Sequence, residues 1–320
     1  VRVLVTGASG MLGRGIAQAL IERGDEVSVL QRRPSGLACR EVLGDVGDAV
    51  VVRRAAHRHD AVVHCAAKVD VVGPWDEYER VNVVGTRTVI AACRAAEASR
   101  LVHLSTPAVA HAGRALVGAG AGPADPSATQ GFYARSKAMA ELDALAADGP
   151  ALQVLAVRPH LVWGPGDTQL VERIVNRGRA GRLVLVGSGA ALIDTTYVDN
   201  AVDAIVAALD VGAHGEALVV SNGEPRTVVE VLARICAAAG VRGPRGHLPL
   251  PVAAAGGAAL ERVWARLGRR DTPPLTRFLA EQLGTAHWFD QRRTRELLAW
   301  TPRTSLDDGF AALGRWYADR

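Results

Sequence analysis

At 320 residues the chain is long enough for one large α/β domain plus a smaller appended lobe. Hydrophobic residues at 49% and charged residues at 22% exclude a disordered chain, and aromatics at 4% leave the core to Val, Leu and Ala. The net charge of +4 comes from arginines scattered along the whole chain, so nucleic acid is not the expected partner and local anionic ligands are the better use of the excess.

Val1 opens directly into a strand, so no signal peptide is expected. The longest weakly polar stretch, 249–260, falls well short of the roughly 20 apolar residues of a membrane span. Cys39, Cys65, Cys93 and Cys236 lie far apart, with neither a C-x-x-C pair nor histidines at zinc spacing. Free thiols in a reducing, cytoplasmic compartment and no metal site are therefore expected.

Residues 1–5 read as a short buried strand and 11–23 as a helix with Leu12, Ile16, Ala19 and Leu20 on one face. Between them stands Thr6-Gly7-Ala8-Ser9-Gly10-Met11-Leu12-Gly13. Three glycines at this spacing let the backbone turn tightly, approach a pyrophosphate and pack helix on strand, while the helix N-terminus offers N–H donors. The expected dinucleotide contacts are Gly7, Ser9, Gly10, Met11, Leu12 and Gly13. A glycine triplet alone is weak evidence in a chain with 34 glycines; the strand before and helix after give it weight.

The second strand, 27–30, ends in Gln31-Arg32-Arg33. A carboxylate at this tip would bind the adenosine ribose of NAD. Neutral Gln31 removes repulsion toward a 2′-phosphate, and the guanidiniums of Arg32 and Arg33 offer it forked donors, so NADP(H) is expected over NAD(H). The competing reading is that both arginines point into water.

Further short strands read at 61–64 and 101–104, with Val81, Val84, Thr88, Ala92 and Ala95 at helical spacing between them. This alternation predicts a Rossmann-type, doubly wound parallel sheet covered on both faces. Residues 113–131 form a Gly/Ala/Pro-rich loop, 133–147 a helix and 152–157 the next strand. After Pro159 the pattern loosens, with a turn at 164–166 and helices over 227–239 and 275–283. The expected division is an NADP-binding domain over 1–158, with a segment returning near 194–220. A smaller substrate-binding lobe comprises 159–193 and 221–320.

Tyr133 and Lys137 stand four residues apart in the 133–147 helix, hence on one face. With four tyrosines and two lysines in the chain, that spacing arises by chance at about 2–3%. A phenol's pKa near 10 is too high for easy proton exchange at neutrality. Lys137 and the positive nicotinamide ring are expected to lower it together. Ser105 and Thr106 follow the 101–104 strand, at the sheet edge where ligands sit; either hydroxyl could hold a substrate carbonyl, or merely cap a turn.

These residues resemble the extended short-chain dehydrogenases/reductases. The similarity spans essentially the whole chain: the Thr6–Gly13 motif, Asp45-Val46, His64-Cys65-Ala66-Ala67, Asn82-Val83-Val84-Gly85-Thr86, Tyr133-x-x-x-Lys137, and Arg158-Pro159-x-x-Val162-Trp163-Gly164-Pro165. The resemblance implies Tyr133 as acid/base, with Lys137 tuning it and binding the nicotinamide ribose. It implies Asn82 in a water-linked proton path and Thr106, rather than Ser105, as the catalytic hydroxyl. It also implies cofactor contacts at Asp45, Val46, Ala66, Ala67 and Pro159, and a homodimer formed through helices near Asn82 and Tyr133.

Within that superfamily, nucleotide-sugar epimerases and dehydratases usually carry an Arg-Asp pair where this chain has Ile193-Asp194. The missing guanidinium weighs against a sugar diphosphate. Pro273-Pro274-Leu275-Thr276-Arg277, Phe289-Asp290 and Trp300-Thr301-Pro302 resemble the 3β-hydroxysteroid dehydrogenase family. Ala66-Ala67-Lys68 and Ser105-Thr106-Pro107 resemble its bacterial relatives that reduce 2-alkyl-3-oxoalkanoates. The expectation is ketone–alcohol interconversion on a lipid-like 3-oxoacid or 3-oxosteroid. The alternatives are a nucleotide-sugar epimerase/dehydratase and a non-catalytic dinucleotide-binding regulator. Lys68, one of only two lysines, is a candidate anchor for a substrate carboxylate, against the plainer reading of a solvated loop lysine.

Overall fold

The chain is described here by a computed structural model covering residues 1–70, 72–110, 113–269 and 273–320. Seven strands form its main sheet: β1 Arg2–Thr6, β2 Glu26–Gln31, β3 Arg40–Leu43, β4 Ala61–His64, β5 Arg100–Leu104, β6 Gln153–Pro159 and β7 Glu216–Val220. All pairings are parallel, in the order β7-β6-β5-β4-β1-β2-β3. The chain winds outward from β1 to β3 and then crosses to β4 on the other side of β1. That reversal opens a crevice beyond the carboxyl ends of β1 and β4.

A parallel sheet is buried on both faces, which is why β1, β4 and β5 are near-continuous apolar runs. Successive side chains nevertheless go to opposite sides. Val3 and Val5 join the core beneath helices α1 (Met11–Arg23) and, far downstream, Val198–Asp210. Leu4 joins the core beneath α2 (Ala49–Ala56), α3 (Gly85–Ala95) and α4 (Gly131–Leu145). The α1 boundaries agree with the expected 11–23. The helix α4 begins two residues earlier than the pattern suggested, at Gly131.

The sequence pattern missed β3 and α2 altogether, and the expected 113–131 loop is not all loop. Leu116–Ala119 is a strand paired with His287–Phe289, in a second sheet completed by Leu192–Ile193 and Arg226–Thr227. Its neighbour lies about 170 positions away in the chain, so nothing local marks it. The chain also returns to the first sheet. Thr196–Tyr197 pairs with Val162–Trp163, the 198–210 helix packs on α1, and β7 closes the edge beside β6. The strand Thr196–Tyr197 thus runs directly into that helix. Among the described residues no helix is long and apolar enough to cross a membrane.

Candidate active site

The glycine motif occupies the crevice. Gly7 has φ +79°, and a β-carbon there would fall 2.8 Å from the backbone of Ala66. A β-carbon on Gly13 would fall 2.5 Å from the carbonyl oxygen of Gly7. Both positions therefore require glycine for the chain to close up. The first turn of α1 carries no acidic residue and no side-chain cap, which leaves its N–H groups at the mouth of the crevice without a side-chain partner. Ser9 and Gly10 are exposed, and Met11 and Leu12 half-buried, at this mouth.

At the adenosine end, Arg32 and Arg33 are exposed and form no hydrogen bond or ion pair among the described residues. Asp45 is bound to Arg80 at 2.9 Å and accepts the Gly47 N–H at 2.9 Å. Burial pulls its pKa up, but the Gly47 N–H and Arg80 outweigh that and hold its carboxyl below the ordinary range.

A hydrogen-bonded chain links this crevice to Asn82. Ala66 N–H donates to Thr6 Oγ1 at 3.1 Å, and Thr6 Oγ1 lies 2.8 Å from His64 Nδ1. His64 Nε2 lies 3.0 Å from Thr86 Oγ1, which donates to the carbonyl of Asn82 at 2.6 Å. Since Thr86 spends its proton on Asn82, the donor inventory assigns the imidazole proton to Nε2 and leaves Nδ1 to accept from Thr6. The ring is neutral: burial, seconded by Lys137, pushes its pKa down to about 3. His64 was read only as part of a motif; its bracing role needed the packing of β1, β4 and α3.

Asn82 itself lies in a π-helical turn, Glu79–Val84, a form that often marks functional segments. Its Oδ1 accepts from Lys68 N–H at 2.7 Å, and its Nδ2 donates to Lys68 O at 3.1 Å and Ser136 Oγ at 2.8 Å. The amide thus ties the segment after β4 to α4.

On α4, Tyr133 and Lys137 share one face. The side chain of Thr106, just past β5, lies near the half-buried Tyr133 hydroxyl and favours its ionised form. Crowding by protein pushes the phenol up to about 12, against the lowering effect of Thr106. The expected drop is therefore not what the protein alone produces, and Lys137 is not among the causes. Lys137 Nζ donates instead to the carbonyl of Leu104, the last residue of β5. Burial lowers its pKa to about 8, while Glu141 and Cys65 pull upward. Ser105 is buried, and its hydroxyl has no hydrogen-bond partner among the described residues.

Lys68 is placed differently from expectation. Its ammonium is paired with Asp70 at 3.0 Å and Glu77 at 2.9 Å and lies 5.1 Å from the centre of the Tyr78 ring. Two carboxylates already balance it, which speaks against an anchor for a third.

Sequence reasoning also passed over Glu141 and Arg158 as partners. Their side chains form a fully buried ion pair, with Arg158 Nε to Glu141 Oε2 at 2.8 Å. Arg158 also donates to the carbonyls of Ala121 and Gly122. One guanidinium thus fastens β6, α4 and the long 113–131 segment together. The signal was available: a glutamate one turn beyond Lys137 on an otherwise buried face.

The comparisons with known proteins agree with this layout. Residues 3–221 match the family described as the NAD dependent epimerase/dehydratase family. A 2-alkyl-3-oxoalkanoate reductase of Stenotrophomonas maltophilia is 41% identical over 98% of this chain and 98% of its own length. A 3 beta-hydroxysteroid dehydrogenase/Delta 5-->4-isomerase of Mycobacterium tuberculosis is 30% identical over 94% of this chain and 86% of its own. Among solved structures, MoeE5 in complex with UDP-glucose and NAD superposes with a TM-score of 0.77 at 26% identity, covering 100% of this chain and 99% of that one.

Proposed function

Because the chain belongs to the NAD dependent epimerase/dehydratase family, we propose that it is an NADP(H)-dependent reductase of a lipid-like ketone, a 2-alkyl-3-oxoacid first and a 3-oxosteroid second. The observation that carries the reading is the Tyr133 hydroxyl near Thr106, on the helix face that bears the buried Lys137. A phenol with a pKa near 12 keeps its proton at neutral pH, which suits it to donate that proton to a ketone oxygen.

When bound, a reduced nicotinamide would supply the hydride for the carbonyl carbon. Thr106 orients the substrate oxygen against Tyr133, and the phenol delivers the proton that completes the alcohol. The resulting phenolate is stabilised by the ammonium of Lys137, which the Leu104 carbonyl fixes in place. Asn82 acts as a brace, holding the 66–68 segment and α4 at a constant spacing. Gly7, Gly13 and the first turn of α1 take the pyrophosphate. Asp45, Val46, Ala66, Ala67 and Pro159 line the rest of the dinucleotide, and Arg32 and Arg33 take the 2′-phosphate.

The substrate class rests on the 41% identity to a 2-alkyl-3-oxoalkanoate reductase along nearly the full length of both chains. Ile193 in place of the epimerases' arginine supports it, since it offers no charge to a diphosphate. We assign the second sheet and the helices after it to the substrate side. Exposed Val84, Phe132 and Leu142 on and beside α3 and α4 support a homodimer, which light scattering would read as twice the chain mass. Four free cysteines suit a reducing cytoplasm.

The deciding experiment is an NADPH-oxidation screen across a 2-alkyl-3-oxoacid, a 3-oxosteroid and UDP-glucose. Turnover of the oxoacid well above the others is expected. UDP-glucose conversion without net cofactor oxidation would sink the reductase reading in favour of an epimerase, and no turnover of any carbonyl would favour a regulator.

A further inference from the structure

The turn after β2 is held by a residue that the cofactor chemistry itself does not call for. Glu41, on β3 opposite Val29, places one carboxylate oxygen, Oε1, against three donors. These are Gln31 Nε2 at 2.5 Å, Ser35 N–H at 2.7 Å and Ser35 Oγ at 2.7 Å. Ser35 Oγ in turn accepts from Leu37 N–H at 3.2 Å, and the carbonyl of Ser35 accepts from the guanidinium of Arg14 on α1. The segment from Gln31 to Leu37 is thereby tied to both β3 and α1. Arg32 and Arg33 lie within it, exposed and without a hydrogen bond or ion pair among the described residues, with Arg32 near enough to Asp45 to favour its carboxylate.

We propose that Glu41 is a positioning residue for cofactor choice: it folds this turn so that Arg32 and Arg33 are presented together to the 2′-phosphate of NADP(H). The proposal rests on the NADP(H) reading above. Arginine side chains lose much rotamer freedom on binding, and a turn fixed beforehand reduces what remains to be ordered. Charge-assisted bonds to a backbone N–H and two side-chain donors are strong enough to fix it. Glu41 also fixes the amide of Gln31, the residue at the strand tip where a carboxylate would favour NAD.

Glu41 acts in two opposite directions, and this makes the proposal testable. As an anion near the phosphate it repels; as the knot of the turn it orders the arginines. If repulsion dominates, removing it tightens NADPH. If ordering dominates, removing it weakens NADPH and leaves NADH almost unaffected, because only NADPH carries the 2′-phosphate.

The test uses the full chain and its E41A and E41Q variants, with steady-state kinetics in both cofactors and timed trypsin cleavage after Arg32. E41A is expected to raise KM for NADPH about tenfold, the scale of one lost charge-assisted contact, with kcat and KM for NADH within about twofold. E41Q, which keeps an acceptor in place, is expected to recover most of the loss. Cleavage after Arg32 is expected to quicken in E41A. A lower KM for NADPH in E41A, or equal losses for both cofactors, overturns the proposal. A wild-type enzyme without preference for NADPH overturns the cofactor reading instead. The hold of Glu41 on the turn is then judged by trypsin, and unchanged cleavage overturns it.

Discussion

The proposed proton donor, Tyr133, has two neighbours on different elements, Thr106 beyond β5 and Lys137 one turn along α4. Removing only its hydroxyl leaves ring packing intact. Tyr133→Phe should lower turnover by about 10²–10⁴ with NADPH affinity nearly unchanged, checked by single-turnover rates and cofactor titration. Near-normal turnover would end the assignment. The buried ammonium of Lys137 adds a pH limit. With its pKa lowered to about 8, it is charged at pH 6 and loses the proton as pH rises through 8. The reduction rate should therefore be flat from pH 6 to 7 and fall above about 8 in a pH–rate profile. At the other end of the cofactor, exposed Arg32 and Arg33 can both be changed to Ala without disturbing the core. Initial rates should show KM rising far more for NADPH than for NADH; equal rises would mean they do not read the phosphate.

The element α4 is set in place by charge as much as by apolar packing. Glu141 and Arg158 are buried together, so each is tolerable only while the other is present. Arg158→Leu should cost about 3–5 kcal/mol in urea unfolding, because it leaves an uncompensated carboxylate inside. The paired change with Glu141→Leu should recover most of that loss, since two apolar side chains of similar size remove the uncompensated charge. Activity should not recover with it, because the carbonyls of Ala121 and Gly122 lose their donor and the 113–131 segment loses its tether to α4. A double variant as unstable as the single one would show that the pair is not the source of the cost.

At the scale of the whole molecule, the second sheet meets the first around Asp194. This carboxylate is fully buried; it accepts the Phe289 N–H at 2.9 Å and interacts with Ser221. Burial raises its pKa from 3.8 to about 6, against the lowering effects of Phe289, Ser221 and Arg295. A raised folded-state pKa means that the fold favours the neutral acid. The associated stability is complete below about pH 4 and lost as pH rises through 6, a change of about 3 kcal/mol. Asp194→Asn removes this titration and keeps an acceptor for Phe289. Relative to the natural chain, the variant should gain stability between pH 4 and pH 7, measured by urea unfolding at each pH. A constant difference across that range would refute it.

Strands β1, β2, β4, β5 and β6 of the main sheet were legible from local order alone. Strands buried on both faces must be continuous apolar runs, helices beside them must carry a 3.6-residue stripe, and the glycine motif marks where one passes into the other. For the same reason the Tyr133–Lys137 pairing could be read without coordinates: helical spacing guarantees a shared face. The strand Leu116–Ala119 and the neutral state of His64 could not be read, because each depends on a partner from a distant element; the face of α4 marked Glu141 as buried, but only the fold paired it with Arg158. Lys68 shows the difference most sharply. Its rarity in the sequence drew attention to its charge, yet only the fold brought Asp70 and Glu77 within 3.0 Å to balance it. Periodicity and spacing report what a residue's own element does with it, whereas charge balance, tautomer and pKa are set by whatever the tertiary structure packs against it.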